Sequence, residues 1–200
     1  MLKVAVTGGA GAGKTVVCDC LKRLGAHVIS LDELAREAVQ PDSPVLGAIV
    51  DHFGNGILET DGTLDRRKLR GIITRDAQGR EVVERLTHPE ILKLFEERVA
   101  SIESRYEDAI VVVEVPLLIE LGMQDQFDLV ILVEAGSDQQ ESRLMARDGS
   151  SAAEAQALMG IQIAAEEKRP HADFIVQNRA TLEELGTVVK EIYTKIAKGA

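Results

Sequence analysis

Aromatic side chains are scarce: the 200 residues hold four Phe, two Tyr and no Trp. The core must therefore be aliphatic, and the ring platforms on which single-stranded bases stack are missing. Basic excess is missing too, since the formal net charge is −10. Duplex nucleic acid is bound by neutralising phosphates, so no nucleic-acid partner is expected, although local basic clusters can still hold a small polyanion. No apolar run reaches the roughly 18 residues that span a bilayer, and no membrane partner is expected. The only cysteines are Cys18 and Cys20. Two apart on a predicted helix, they point to different sides and suit neither a disulfide nor a shared metal. They read as reduced packing thiols. Met1-Leu2-Lys3-Val4 runs directly into a predicted strand that a cleaved leader would remove, so a cytoplasmic location is expected.

What is present is concentrated near the start. Residues 8–15 read Gly-Gly-Ala-Gly-Ala-Gly-Lys-Thr, after the apolar run Leu2–Thr7 and before an amphipathic stretch from Val16. G-x-x-x-x-G-K-[ST] between strand and helix is the context of a phosphate-binding loop. Consecutive N–H groups of a glycine-rich turn converge on one anion, and the new helix adds its positive end. Lys14 suits the β- and γ-phosphates and Thr15 a Mg²⁺ ion.

Further apolar runs at His27–Ser30, Ala109–Val115, Asp128–Glu134 and Ala172–Gln177 predict five strands in all. Those around Val111 and Val130 are nearly continuous, as in parallel sheets covered on both faces. Helical patterns alternate with them at Lys14–Leu24, Leu31–Val39, Ser137–Arg147, Ser151–Lys168 and Leu182–Ala197, and Gly199-Ala200 reads as a frayed end. The fold class is α/β, a doubly wound five-stranded parallel sheet with helices on both faces. About 75 residues between the second and third strands carry helical patterns (Val45–Phe53, Asp65–Arg75, Arg80–Leu86, Pro89–Tyr106) where a crossover needs only ~10–12. The excess is an inserted helical subdomain. The expected division is a core of about 1–30, 107–136 and 170–200, an insertion of about 31–106, and a mobile segment of about 137–169.

Rival readings of the loop fail on motif. Gly9-x-Gly11 is followed by Lys14 where a dinucleotide fingerprint needs glycine. A guanine-reading N-K-x-D is absent.

The remaining residues form an ordered set: Asp32 to Arg36 (D-x-x-A-R), Asp61 to Arg66 (D-G-x-L-D-R), Thr87-His88-Pro89, Val115-Pro116-Leu117-Leu118, Arg143 with Arg147, Gln162 with Glu166 to Arg169, and Asn178. In this order they resemble dephospho-coenzyme A kinase, from Lys3 to about Ile192. The resemblance implies a P-loop, nucleoside-monophosphate-kinase-like fold with a helical acceptor domain and a helical lid. It implies transfer of phosphate from ATP, with Mg²⁺, to the ribose 3′-hydroxyl of dephospho-coenzyme A. It implies small-molecule partners only and a monomer or weak homo-oligomer. A nucleoside monophosphate or other small-metabolite kinase, and a non-catalytic nucleotide-dependent regulator, are the competing readings.

The resemblance and the chemistry together nominate site residues. Lys14, Asp32, Arg143 and Arg147 are the catalytic candidates, with Arg147 favoured over Arg143. ATP falls to Gly9, Ala10, Gly11, Ala12, Gly13, Lys14, Thr15, Val16, Arg147 and Asn178. The acceptor falls to Asp32, Arg36, Phe53, Arg66, His88, Pro116 and Leu117. Thr15 is the metal candidate, with Glu114 reaching the ion through water. Plain alternatives stand beside these: a helix cap for Asp32, Thr87 or His88, a solvated helix face for Arg143 and Arg147, and packing for Phe53, Pro116 and Leu117. Two departures from the family pattern are Ser30, where an acid is frequent, and Ala180, where glycine is usual.

Overall fold

A computed structural model describes residues 1–179 and 181–199. The remarks above on Ala180 and Ala200 lie outside the described residues. Two compact units emerge, residues 1–30 with 102–200, and residues 31–101.

The first unit is built on five parallel strands, β1 Leu2–Gly8, β2 His27–Ser30, β3 Ile110–Glu114, β4 Leu129–Glu134 and β5 Phe174–Gln177. Their order is β2-β3-β1-β4-β5. Every residue of β3 is buried, as is every residue of β4 after Leu129. This burial on both faces is why those runs are almost continuously apolar rather than alternating. One sheet face shows its period of two in the core: Val4 and Val6, Ile110 and Val112, Ile131 and Val133, and Val176. Against it lie Val17, Cys18 and Leu21 of helix α1 (Lys14–Arg23) and Leu185, Val189, Ile192 and Ile196 of the last helix, Leu182–Gly199. The latter positions recur at three and four residues, the stripe of a helix with one buried face.

The second unit is helical: α2 Leu31–Glu37, α3 Pro44–Phe53, α4 Arg66–Ile73 and most of α5 Ala77–Glu103. Its own small core gathers Val39, Leu46, Ile49, Ile57 and Leu69. Local chemistry sets the starts. The Ser43 side chain accepts Leu46 N–H at 3.0 Å ahead of Pro44, and Asp65 accepts Lys68 N–H at 2.9 Å. Both are ordinary N-caps.

Two expected helix boundaries are corrected. The patterns at Arg80–Leu86 and Pro89–Tyr106 form the single helix α5, with Pro89 inside it. Pro89 lacks an N–H for the preceding turn. The Thr87 hydroxyl gives that region an extra bond, donating to the Val83 carbonyl at 2.8 Å. Thr87 and His88 are therefore not caps. The pattern at Ser151–Lys168 is instead split into α7 Ala152–Met159 and α8 Ala165–Lys168, after α6 Ser137–Asp148. Gly160 closes α7, and residues 160–164 lie between the two helices. Helix α9 is the last helix named above.

The carboxyl end of β4 carries a buried charge. Glu134 has a side chain 3% exposed, and Arg169 grips it with two bonds of 2.7 and 3.0 Å. The Arg169 bonds hold its carboxyl below the ordinary glutamate range, against the cost of burial, with Gln177 and Arg179 assisting. A depressed carboxylate stabilises the fold above its unfolded pKa and loses that contribution as pH falls through the folded value. Arg169→Met should therefore move the acid-unfolding midpoint to higher pH, read from urea denaturation across a pH series; an unchanged midpoint would contradict the assignment. Gly8 (φ +148°) faces the Val133 backbone, and an added Cβ would collide with the Val133 carbonyl oxygen. Gly8→Ala should cost about 2 kcal/mol or more in thermal unfolding, and a wild-type Tm would refute the constraint.

Candidate active site

The loop between β1 and α1 is held in shape from behind. Gly13, in the left-handed region at φ +95°, precedes α1. Helix geometry leaves the first amides of α1 without intrahelical acceptors, so they face the loop's mouth as donors for an anion. Gly11 (φ +74°) lies against the α6 backbone: a Cβ there would come within 2.6 Å of the Gln140 carbonyl oxygen. At Gly9 the nearest atoms are the end of the Gln140 side chain, 2.9 Å from a built Cβ, which can shift aside. Glycine at position 11 thus lets helix α6 support the loop as well as giving it the required angles.

Arg143, one turn further along α6, donates to the Gly11 and Ala12 carbonyls at 3.3 Å each and to the Asn178 carbonyl at 3.2 Å. Buried Asn178, just past β5, donates its side-chain amide to the Ala12 carbonyl at 2.7 Å. Two segments distant in sequence thereby hold the outward carbonyls of residues 11 and 12. Arg143 is thus part of the loop's frame and not a solvated face. Arg147, four residues on, points elsewhere: it is exposed and pairs with Asp148 at 2.7 and 2.8 Å.

Inside the loop, Lys14 is 8% exposed. Its ammonium donates to the Gly8 and Gly9 carbonyls at 3.0 Å each. These bonds hold a buried cation at the mouth of a donor-lined turn, where a phosphate tail would find it. Thr15 donates its hydroxyl to Glu114 Oε1 at 3.0 Å. Glu114 is the last residue of β3 and 7% exposed, and it pairs in register with Ser30 on β2. The hydroxyl and carboxylate nominated for a metal therefore lie side by side. Oxygen donors in small number suit Mg²⁺, which takes most of its shell from water and substrate phosphates. Among the described residues no cluster of three or more His, Cys, Asp or Glu offers a denser cage. Cys18, on the buried side of α1, is no nucleophile: burial pushes its thiol pKa far up, Glu114 and Asp19 add to this, and Lys14 opposes it.

Pro116 follows β3 by two residues, and its carbonyl accepts the Gln162 side-chain amide at 3.4 Å. Leu117 beside it is partly buried.

The other nominated residues belong to the helical unit. Asp32 lies in the first turn of α2, not at its cap. Asp32 and Arg36 are four apart on α2, and Arg66 and Arg70 four apart on α4, so each pair shares a helix face. The faces approach each other. Burial lowers the Arg66 pKa, Arg36 and Arg70 lower it further, and Asp32 opposes them. Nearby acids are engaged elsewhere: Glu37 with Arg98 at 2.9 and 3.0 Å, and Asp65 at its cap. Three like charges gathered about the single opposing charge of Asp32 favour an anionic ligand. Phe53 packs partly buried on the core of this unit with its ring against His52, and His88 sits mid-helix in α5.

Gln140 and Gln162 are residues that sequence reasoning did not nominate. Gln140 precedes Arg143 by one helical turn, a spacing readable in the sequence. Gln162 belongs to the ordered set that carries the family resemblance, but no role follows from that placement.

Comparison with known proteins agrees with this geometry. Residues 2–184 match the family model for dephospho-CoA kinase. A dephospho-CoA kinase of Geobacter sulfurreducens is 41% identical over 192 residues, 96% of this chain and 97% of the relative. Among solved structures, the Thermus thermophilus protein TT1252 superposes with a TM-score of 0.80 at 31% identity, covering 97% of both chains. The dephospho-CoA kinase from Campylobacter jejuni gives 0.72 at 27% identity over 98% of both. A core, a glycine loop and a full-length match of this kind leave one assignment: the chain belongs to the dephospho-CoA kinase family.

Proposed function

We propose that the chain transfers the γ-phosphoryl group of ATP to the ribose 3′-hydroxyl of dephospho-coenzyme A, giving ADP and coenzyme A. One observation carries this reading: a buried lysine and a threonine–carboxylate pair converge at a glycine loop in a chain of this family. Phosphoryl transfer asks for positioned charge more than for covalent chemistry. The backbone of residues 9–16 grips the triphosphate, and Lys14 neutralises charge on its transferring end. Thr15 and, through water, Glu114 would hold Mg²⁺, which would supply positive charge against that of the phosphates. Arg147 supplies a further cation on the phosphates from the segment 137–169, which acts as a lid. Asn178 and Arg143 shape the adenine side of the loop.

The helical unit, 31–101, takes the acceptor. Arg36 and Arg66, with Arg70, meet its diphosphate, while Asp32 accepts or orients the hydroxyl proton. Phe53, His88, Pro116 and Leu117 contact its apolar and sugar parts. Among the described residues no helix is long and apolar enough to cross a membrane; cytoplasmic work as a monomer or weak homo-oligomer is the proposed setting.

The direct test is coupled ADP release with purified protein, ATP and Mg²⁺. Dephospho-coenzyme A should be the preferred acceptor and its 3′-deoxy analogue inert; faster turnover with a nucleoside monophosphate would overturn the reading. Lys14→Ala should lower kcat by about 10²-fold or more in a folded protein, checked by the same assay with circular dichroism as control. Asp32→Asn should depress kcat with little change in ATP affinity by calorimetry; a pure fall in Tm would instead assign Asp32 to the helix alone.

A further inference from the structure

We propose that Gln162 is the positioning residue for Lys14, acting through the peptide that joins Gly9 to Ala10. This rests on the kinase reading above. The carbonyl of that peptide, on Gly9, accepts the Lys14 ammonium at 3.0 Å and Ala12 N–H at 3.1 Å. The N–H of the same peptide, on Ala10, donates to Gln162 Oε1 at 2.7 Å. A trans peptide is planar, with N–H and C=O pointing in opposite directions. Fixing the direction of one therefore fixes the other. A hydrogen bond at the N–H also strengthens the carbonyl as an acceptor. Gln162 thus sets both the aim and the strength of a carbonyl that seats Lys14.

Gln162 is itself firmly placed. Its Nε2 donates to the Pro116 carbonyl at 3.4 Å. The reversed amide would set NH₂ against the Ala10 N–H and oxygen against the Pro116 oxygen, so the neighbours permit one orientation. The next residue, Ile163, donates its N–H to Glu120 Oε1 at 3.2 Å. Lys168, five residues after Ile163, lies 2.8 Å from the same carboxylate oxygen, with a side chain only 1% exposed. A buried ion pair of this kind is strongly destabilising to break. It anchors the stretch 160–164 to the segment after β3 and leaves the glutamine as that stretch's reach into the loop. The gap between α7 and α8 is then not a defect in a longer helix, because a continuous helix would not deliver Gln162 from this backbone.

The bond uses an amide at the loop's first turn. The amides at the start of α1, which lack intrahelical acceptors, are not part of it. Loss of Gln162 should therefore disturb the alignment of Lys14 more than the capture of nucleotide.

Gln162→Met keeps length and volume and removes both bonds. Its kcat with dephospho-coenzyme A should fall about tenfold, a size typical of small misalignment, while KM for ATP changes by less than about threefold. The decisive readout is a cycle with Lys14→Met: in that background the added Gln162→Met should change kcat by no more than about twofold. The same cycle is read by calorimetry as the ratio of ATP to ADP affinity, which needs no turnover. Gln162→Met should lower that ratio, and should not lower it further once Lys14 is gone. An unchanged kcat and ratio in the single variant, or equal losses in both backgrounds, would overturn the proposal. A wild-type protein that does not phosphorylate dephospho-coenzyme A would defeat the kinase reading, while the affinity cycle would still decide the role of Gln162.

Discussion

A glycine loop can present its amides to a phosphate only if its carbonyls are held elsewhere. Here that work falls on residues distant in sequence. Arg143 and Asn178 hold the carbonyls of residues 11 and 12, and Lys14 takes those of Gly8 and Gly9. Flexible backbone is costly to order, and a loop ordered in advance spares the ligand that cost. Without this frame the first helix would begin with disordered donors, and the buried ammonium of Lys14 would lose its seat. The close approach of α6 to Gly11 makes the frame possible, since a side chain there would meet the backbone of Gln140 and push the helix away.

The sheet contributes at one edge only. The nominated loop and its neighbours gather at the carboxyl ends of parallel strands, as expected where such a sheet ends in a cleft. Glu114 ends β3, Gly8 ends β1, Glu134 ends β4, and Asn178 follows β5. Each has a distinct electrostatic task. Glu114 meets Thr15, and Glu134 is neutralised by Arg169 instead of standing exposed to a polyanion. The register places Ser30 beside Glu114. A second carboxylate at that position would face the first across about 5 Å of sheet, so serine there leaves Glu114 as the one acid of that strand pair. In the helical unit the same logic runs with opposite sign, three arginines being gathered against Asp32 in a chain whose net charge is −10.

Much of this architecture is written in local pattern. Continuous Val and Ile runs mark β3 and β4 because burial on both faces removes the need for alternation. The loop reads from its glycines, and Ser43 and Asp65 announce helix starts through their caps. Two features escape such reading for physical reasons. Pro89 signals a helix start, yet α5 continues through it because tertiary placement overrides propensity and Thr87 adds a backbone contact. The stretch Ser151–Lys168 keeps a helical pattern, yet Gly160 ends α7, and Glu120 draws both Ile163 and Lys168 to itself from the far side of the sheet connection. The loop's frame is equally hidden. Arg143 and Asn178 bear signals of substrate contact, but their bonds to loop carbonyls depend on strand order, which no window of sequence contains.

The kinase reading and the pre-ordered loop meet in one experiment, a crystal structure of the protein with Mg²⁺, a non-hydrolysable ATP analogue and dephospho-coenzyme A. The loop backbone of residues 8–15 should stay within about 1 Å of its ligand-free path, as is usual for pre-organised sites. Lys14 should turn its ammonium from the Gly8 and Gly9 carbonyls toward the terminal phosphates, with the 3′-hydroxyl in line behind them. A triphosphate bound away from residues 9–15, or a loop that must refold to receive it, would contradict this.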